Sequence, residues 1–570
     1  MGAVRIVLPV LRRAAGREGR GAGARPLVVA LLRCSSPHWV LLRPQPLPRR
    51  LAWAAEAVES SRAAAAGGRR GGAGLLARSL VLHAQLLLDS GRYEEALAAA
   101  EGSLAIADAQ ASPTQTAYCH LLRSLALVRL DRYDEGVVAA RRSVAAYRSA
   151  TPRRADLALG STEAALRAHA WALGRSGRTA ESVEVYLQCV ELLRKVTLWH
   201  QFRLERLHTR VLIELTGGLR ELGRFGEGVE AGSDARERAA SLVPRLYPEA
   251  RTMYAGLLVD LAWCHGATGD LVRARATAEE AVTRCRALSG SAPAAGAPLL
   301  ALALDCLAYC LERLDAHAEE RAVNEELVHV CERLAVTDPG SHEPGLAAAL
   351  DSLARSYSRD GEGPESVAAT ERCVELYRRA LGREPFLYEG ELARTLSNLS
   401  VRRRMTDDAT GAVAAGGEAL AITRRLAGSG EEELRPLVAD RLRILGRARC
   451  LAEDDEGAAA CFEEAETLLR QLMEVGDPVP HEAGLAAAQS ALSEALGAAV
   501  DGHLDAGRTD EAVAALRRLK ELTGRTALTE VHAACVSAFV RSRDRDAEGT
   551  RAAWRRMTGE PWPSFVYRPG

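Results

Sequence analysis

Seven turn residues in this chain, Gly177, Gly223, Gly269, Asp315, Gly361, Asp407 and Glu453, are spaced 46 residues apart. Similar turns precede them at Gly91 and Asp131, and another follows at Gly507 after a longer step of 54. A fixed period of this size marks one supersecondary unit copied many times, each copy packing on its neighbours. That pattern predicts a repeat array and makes partner binding the default function.

Each copy reads as two helices. Around Gly223, residues 202–222 form one apolar-periodic helix, Gly223-Arg224 is the break, and residues 225–243 form the second. Pro244 then stops the second helix, because proline cannot donate to the helical ladder and restricts the residue before it. Columns across the copies give the packing code. Five residues after the turn stand Ala96, Gly136, Ser182, Gly228, Ala274, Ser366, Ala412, Ala458 and Ala512, with Glu320 as the exception. Small residues there imply a close approach of helices. Twelve after the turn stand Ser103, Ser143, Cys189, Ala235, Ala281, Cys373, Ala419 and Ala465, and eight before it Leu215, Leu261, Leu307, Leu353, Leu399 and Leu445. These spacings place one buried stripe on each helix.

Hydrophobic residues make up 48% of the chain and aromatics only 4%, so the core must be packed mainly by Ala, Leu and Val. The formal net charge of −1 gives no global case for nucleic acid or an anionic membrane as partner. The charge is uneven, however. Residues 1–74 hold 13 arginines against Glu18, Glu56 and Glu59, whereas Lys195 and Lys520 are the only lysines in the chain. Residues 1–50, rich in Arg, Gly and Pro, are expected to be disordered, and 51–66 to form a helix followed by a Gly-rich hinge to 74. The array is expected over 75–527, with capping helices and a tail over 528–570. The step from Glu453 to Gly507 contains Gly476-Asp477-Pro478-Val479-Pro480, read as an expanded connector. No apolar run reaches the roughly 18–20 residues that cross a bilayer. No clear leader peptide opens the chain, so a cytoplasmic protein is expected.

The columns resemble those of the tetratricopeptide repeat (TPR). Gly91-Arg92-Tyr93-Glu94-Glu95-Ala96-Leu97 and Gly507-Arg508-Thr509-Asp510-Glu511-Ala512-Val513 carry that family's turn and second-helix signature. Leu445-Gly446 and Leu353-Ala354-Arg355-Ser356-Tyr357 match its first helix. The family's usual period is about 34 residues, so the chain is similar to the longer kinesin-light-chain-like variant found in tandem in actinobacterial proteins. Residues 382–427 are the stretch most like it. The resemblance implies an all-α, right-handed superhelical α-solenoid of about ten helix-turn-helix repeats.

Motifs for catalysis fail when sought. Neither lysine stands in a Walker A loop, and there is no His-Glu-x-x-His zinc motif, Gly-x-Ser-x-Gly elbow or EF-hand loop. No enzyme activity, metal or cofactor is expected. Cys264 and Cys310 share one column, as do Cys285 and Cys331, while Cys189 and Cys373 share the small-residue column. Cysteines alternating with alanine and serine at equivalent sites read as small buried apolar residues.

The resemblance also implies that the first helix of each pair lines a concave groove, with side chains six residues before the turn pointing in. Those are Gly217, Trp263, Tyr309, Arg355, Val401 and Arg447. Neighbouring turns of the same face add Arg210, Asp305, Asp351, Arg359, Arg394, Asn398, Arg404 and Arg443. Guanidinium forks bind carboxylates through paired hydrogen bonds. The expected partner is therefore a protein or peptide with acidic side chains, held by a non-enzymatic scaffold. Two alternatives stand beside it: a sensor or regulatory subunit acting through a separate effector, and nucleic-acid contact by the Arg-rich N-terminus.

Overall fold

The turn residues dictate the architecture. In the computed structural model of the chain, nine of the ten sequence-predicted turns, from Gly91 to Glu453, adopt left-handed φ between +56° and +86°. Asp131, Asp315, Asp407 and Glu453 do so without being glycine, at a strain of roughly 1 kcal/mol each. Each turn closes a helix in the same way. The Gly91 amide donates to the Leu88 carbonyl at 3.1 Å and the Arg92 amide to Leu87 at 3.0 Å, and Asp315 and Ala316 repeat the pair on Glu312 and Leu311. This is the Schellman arrangement, which satisfies carbonyls that the helix end leaves without partners.

The structure describes residues 46–506 except 68–70, 111, 150–154, 195–200, 243–247, 384–386, 429–433 and 476–478, and beyond them only residues 29, 508, 511, 512, 514, 515, 518, 519, 522 and 555. Most of the Arg-rich N-terminal segment, the expected capping helices at 528–557 and most of the expected connector thus lie outside the described residues.

The described residues form an all-α solenoid of twenty helices. In chain order, α1 (Leu47–Ala66), α2 (Gly72–Asp89), α3 (Tyr93–Ala109), α4 (Pro113–Arg129), α5 (Tyr133–Ser149), α6 (Ala155–Arg175) and α7 (Thr179–Arg194) come first. They are followed by α8 (Gln201–Glu221), α9 (Phe225–Leu242), α10 (Pro248–Ala267), α11 (Leu271–Ser291), α12 (Pro293–Arg313), α13 (His317–Thr337) and α14 (Pro339–Arg359). The last six are α15 (Gly363–Arg383), α16 (Glu389–Met405), α17 (Ala409–Gly428), α18 (Arg435–Leu451), α19 (Asp455–Val475) and α20 (Val479–Asp505). The chain divides into two units, residues 1–299 and 300–570.

In unit 1, helix α1 belongs to the array. Val58 packs into one core with Leu80, Leu87, Leu97 and Ala100, and a Cβ on Gly72 would stand 2.9 Å from the backbone of Ala64 and Ala65. Close approach is also what the small column provides. A Cβ on Gly228 would meet the Cys264 sulfur at 2.7 Å, so the position five after one turn packs against the position five before the next. Ser182, in the same column, donates to the Ala170 carbonyl at 2.7 Å.

In unit 2 the same contacts recur, with Ser366 donating to the Ala354 carbonyl at 2.6 Å and Ser400 accepted by Ala412 at 2.7 Å. The longer step before Gly507 holds the 27-residue helix α20. Val479 and Pro480, read as connector from sequence, open that helix, where proline's missing amide is not needed. Helix α12, whose Pro293–Arg313 span is long and apolar enough to cross a membrane by length and composition, departs from the expectation that no such run exists. Its Ala303, Leu304, Cys306, Cys310 and Leu311 are buried inside the fold.

Nine of the ten described cysteines are buried, and only Cys450 is exposed. Burial pushes the Cys189 and Cys373 thiols up to about 12. Such thiols stay protonated and behave as small core residues.

Candidate functional site

The fourteen groove positions expected from sequence are divided between the two units. Arg210, Gly217 and Trp263 lie in unit 1, with Trp263 half-buried on α10; the other eleven lie in unit 2. Several of these eleven are brought together, but as partners of one another or of other carboxylates.

Asp351 on α14 is 5% exposed. Its carboxylate accepts from Arg394 at 2.7 Å, from Asn398 at 3.2 Å and from Arg402 at 3.2 Å. Burial alone would raise its pKa; the hydrogen bonds and charges of Arg394 and Arg402 outweigh that and hold it below the ordinary value. Arg402 also donates to the Thr370 hydroxyl at 2.6 Å. This buried arginine escaped the sequence reading. It stands five residues before its turn, in the column that holds Cys264, Cys310 and Ser356.

Arg355 binds Glu312 at 3.1 Å and the Ser352 hydroxyl at 3.1 Å. Arg359 binds the ring of His317 at 2.6 Å and the buried carboxylate of Glu320, 2% exposed, which also accepts from Asn324 and Ser356. Asp305 on α12 is exposed. The surrounding protein raises its pKa, and Arg355 opposes that rise. Tyr309 is half-buried one turn further along. Arg443 stands 3.6 Å from Asp440, which also pairs with Arg441 at 2.9 Å.

Arg404 and Arg447 differ from the rest, having no hydrogen-bond or ionic partner among the described residues. Their spacing is informative. The step of 43 residues that joins Arg355 to its carboxylate at Glu312 also separates Arg447 from Arg404. Where one pair of repeats places opposite charges, a later pair places two guanidinium groups.

Unit 1 holds a second site, of which the sequence reading named only Arg210 and Gly217. A cavity of about 650 Å³ opens on the first-helix face of α2, α4, α6 and α8, lined among others by Tyr118, Arg129, Trp171, Tyr186, Arg210 and Glu214. A second, of about 450 Å³, shares Trp171, Arg175, Tyr186 and Glu214 and runs on to Glu221 and Asp260. Arg129 lies over the Trp171 ring, 5.1 Å from its centroid, and Arg175 over Tyr133 at 5.3 Å. Arg167 pairs with the buried Glu163 at 3.2 Å. Arg210 makes no hydrogen bond or ion pair among the described residues; burial first and then the charge of Arg167 lower its pKa, and the nearby carboxylates of Glu214, one turn along α8, and Glu163 oppose that fall. Trp171 stands six residues before Gly177, in the column of Trp263 and Tyr309; carrying that column one copy upstream of Gly217 finds it. Among the described residues, no group of three or more His, Cys, Asp or Glu is placed to hold a metal ion.

Stacked hairpins with left-handed turns, small-residue contact columns and a groove face built from first helices define a helical-repeat protein of the tetratricopeptide class. Residues 346–386, which span most of α14 and α15, match the tetratricopeptide repeat family, and the chain carries tetratricopeptide repeats. Among solved structures it is similar to BtubC (BKLC) from P. vanneervenii, at 19% identity and TM-score 0.36, over 44% of this chain and 92% of that one. A STAND signal-transduction ATPase with a tetratricopeptide repeat sensor, from Pyrococcus horikoshii, is similar at 13% identity and TM-score 0.46, over 70% of this chain and 53% of that one. The apo form of RapI is similar at 12% identity and TM-score 0.43, over 71% and 98%. No curated protein matches the chain by sequence.

Proposed function

We propose that the chain is a protein-binding scaffold whose second unit holds an acidic segment of a partner polypeptide across α16 and α18. The observation that carries this reading is that Arg404 and Arg447 have no ionic partner among the described residues and are set at the step that elsewhere makes an ion pair. Two like charges at a cross-repeat pairing position repel each other, and a partner carboxylate between them relieves that repulsion while gaining charge-assisted hydrogen bonds. Arg355, Arg359 and Arg394 play another part, since their guanidinium groups are committed to Glu312, Glu320 and Asp351.

The test is the Arg404→Glu/Arg447→Glu variant of the full chain, compared with the wild type in crosslinked capture from the native host. A partner bound through this face is lost with the charge reversal, by about tenfold or more in recovery. Recovery of every partner at wild-type levels would show that the face is not the binding surface. A second reading, a regulatory subunit acting through a separate effector, is supported by the cavity-bearing face of unit 1. That face gives the chain two places to hold two different molecules.

A further inference from the structure

Arg210 and Glu214 stand one turn apart on α8, at the spacing that brings side chains together on one helix face. The same order and spacing closes elsewhere in the chain, where Arg275 meets Glu279 at 2.9 Å and Arg321 meets Glu325 at 3.1 Å. On α8 it stays open. Both side chains line the first cavity, yet neither makes a hydrogen bond or ion pair among the described residues. Glu214 is near enough for its charge to act on Arg210.

A third polar group stands within the field of both charges. Tyr186 on α7 is 5% exposed and lines both cavities, and its hydroxyl has no hydrogen-bond partner among the described residues. Burial first, and then the charge of Glu214, raise its pKa, so the hydroxyl keeps its proton and can donate. Trp171 also lines both cavities, with Arg129 over its ring at 5.1 Å. The other charges of the first cavity are engaged. Arg167 pairs with Glu163 at 3.2 Å, Arg175 donates to the Tyr133 hydroxyl at 3.0 Å, Tyr133 donates to Asp131 at 2.5 Å, and Asp89 faces the charge of Arg50.

We infer that this cavity binds a free α-amino acid with a large apolar or aromatic side chain. Its carboxylate takes the Arg210 guanidinium and the Tyr186 hydroxyl, its ammonium group takes the Glu214 carboxylate, and its side chain takes the apolar wall at Trp171. Opposite charges one helical turn apart suit a ligand that carries both of its charges on one carbon. A ligand of single charge would leave Arg210 or Glu214 without a partner, and charges spread along a chain would need receiving groups set further apart. Charge-assisted hydrogen bonds at both groups fix the orientation. The volume of about 650 Å³ lies within the range of small-molecule sites, roughly 300–1,000 Å³. None of these residues belongs to the scaffold reading of unit 2, and the inference does not depend on it.

The experiment is calorimetric titration of the full chain with L-tryptophan, L-phenylalanine and L-leucine, each beside its N-acetyl and its carboxamide form. At least one free amino acid should bind, and either block should weaken it by about tenfold. 3-Phenylpropionate, which keeps the ring and carboxylate but lacks the ammonium group, should bind no better than N-acetylphenylalanine. Arg210→Gln should reduce the free amino acid to the affinity of its carboxamide and leave the carboxamide unmoved. Glu214→Gln should do the same with the N-acetyl form, and Tyr186→Phe should weaken the free form alone. Arg210 and Glu214 make no internal hydrogen bond or ion pair, so both variants should keep the helical circular dichroism of the wild type.

No binding of any of the three at millimolar concentration would overturn the inference. Blocked forms or 3-phenylpropionate binding as tightly as the free amino acids would also overturn it, on the wild type alone. So would affinities unmoved by Arg210→Gln and Glu214→Gln. Loss of partner capture in Arg404→Glu/Arg447→Glu is read separately, so the scaffold reading and this one stand or fall independently.

Discussion

The two units run one repeat through two different electrostatic regimes. In unit 2 the first-helix face is crossed by ion pairs that reach from one repeat to the next, Glu312 to Arg355, Glu320 to Arg359, Asp351 to Arg394 and Arg402. In unit 1 the same face carries one such pair, Asp260 to Arg220, beside aromatic rings, two connected cavities and, among the described residues, three lining arginines outside any ion pair, Arg129, Arg175 and Arg210. Unit 1 also holds five buried or half-buried histidines, His83, His120, His169, His208 and His265, that all have their pKa lowered, with burial the largest cause. A helical-hairpin scaffold therefore does not fix whether its concave face is occupied by the protein's own charges or kept for another molecule. A few substitutions at defined columns decide it.

Breaking one buried ion pair should give the largest effect. Arg359→Ala leaves the Glu320 carboxylate buried without its guanidinium partner, and unit 2 should lose about 3 kcal/mol or more. Glu320→Ala restores the small residue found at that column in every other copy, so the double variant Glu320→Ala/Arg359→Ala should lie within about 1 kcal/mol of wild type. Urea unfolding followed with hydrogen exchange of α13 and α14 measures both. Equal losses in the single Arg359→Ala and the double variant would show that the pair is not the unit of stabilisation.

Acid should separate the two units next. His169 has its pKa lowered to about 4, by burial first and then by the charges of Arg141 and Arg178, and its Nε2 is buried without a partner. The unfolded chain binds a proton at this histidine from about pH 6.5 downward while the folded one does not, so stability is full above that value and falls between pH 6.5 and about 4. At pH 5 the loss from His169 alone should be about 2 kcal/mol. Asp351 behaves differently, because its pKa is lowered. Its contribution is present above the ordinary carboxylate value and is lost only as pH falls below it. Unit 1 should thus loosen before unit 2 in a pH series of hydrogen-exchange measurements, and His169→Leu should flatten the response of α6. Simultaneous loosening of both units would end the contrast.

The smallest expected effect tests the shared element. Glu453 is exposed and holds φ of +58°, the strained counterpart of Gly361 in the same column. Glu453→Gly should raise the stability of unit 2 by about 1 kcal/mol, seen as a higher urea midpoint.

The backbone was the most legible part of the sequence. The turn column marked nine positions that the structure makes left-handed, a conformation few residue types tolerate, and the small columns predicted helix contact because a Cβ has nowhere to go at Gly228. The site was less legible. Asp351, Arg394 and Asn398 are expected from sequence to point into a groove, yet they bond to one another, and whether an arginine is free depends on partners 40 to 50 residues away in sequence. The clue was present in the exceptions: Glu320 and Arg402 are charged residues in columns otherwise built of small ones. Trp171 was missed for a simpler reason, since its column was read only from Gly217 onward.

Those two exceptions have a consequence for how such an array can be rearranged. Most copies present interchangeable faces, so a cut at one turn and a join at the next would remove a whole period and leave matching surfaces. The copy bearing Glu320 cannot be treated this way. Its carboxylate needs the Ser356 hydroxyl and the Arg359 guanidinium that the following copy supplies, and Asp351 in turn needs Arg394 and Arg402 from the copy after that. Three successive hairpins are thus keyed to one order, like numbered links in an otherwise uniform chain, and shuffling them would bury charge against alanine.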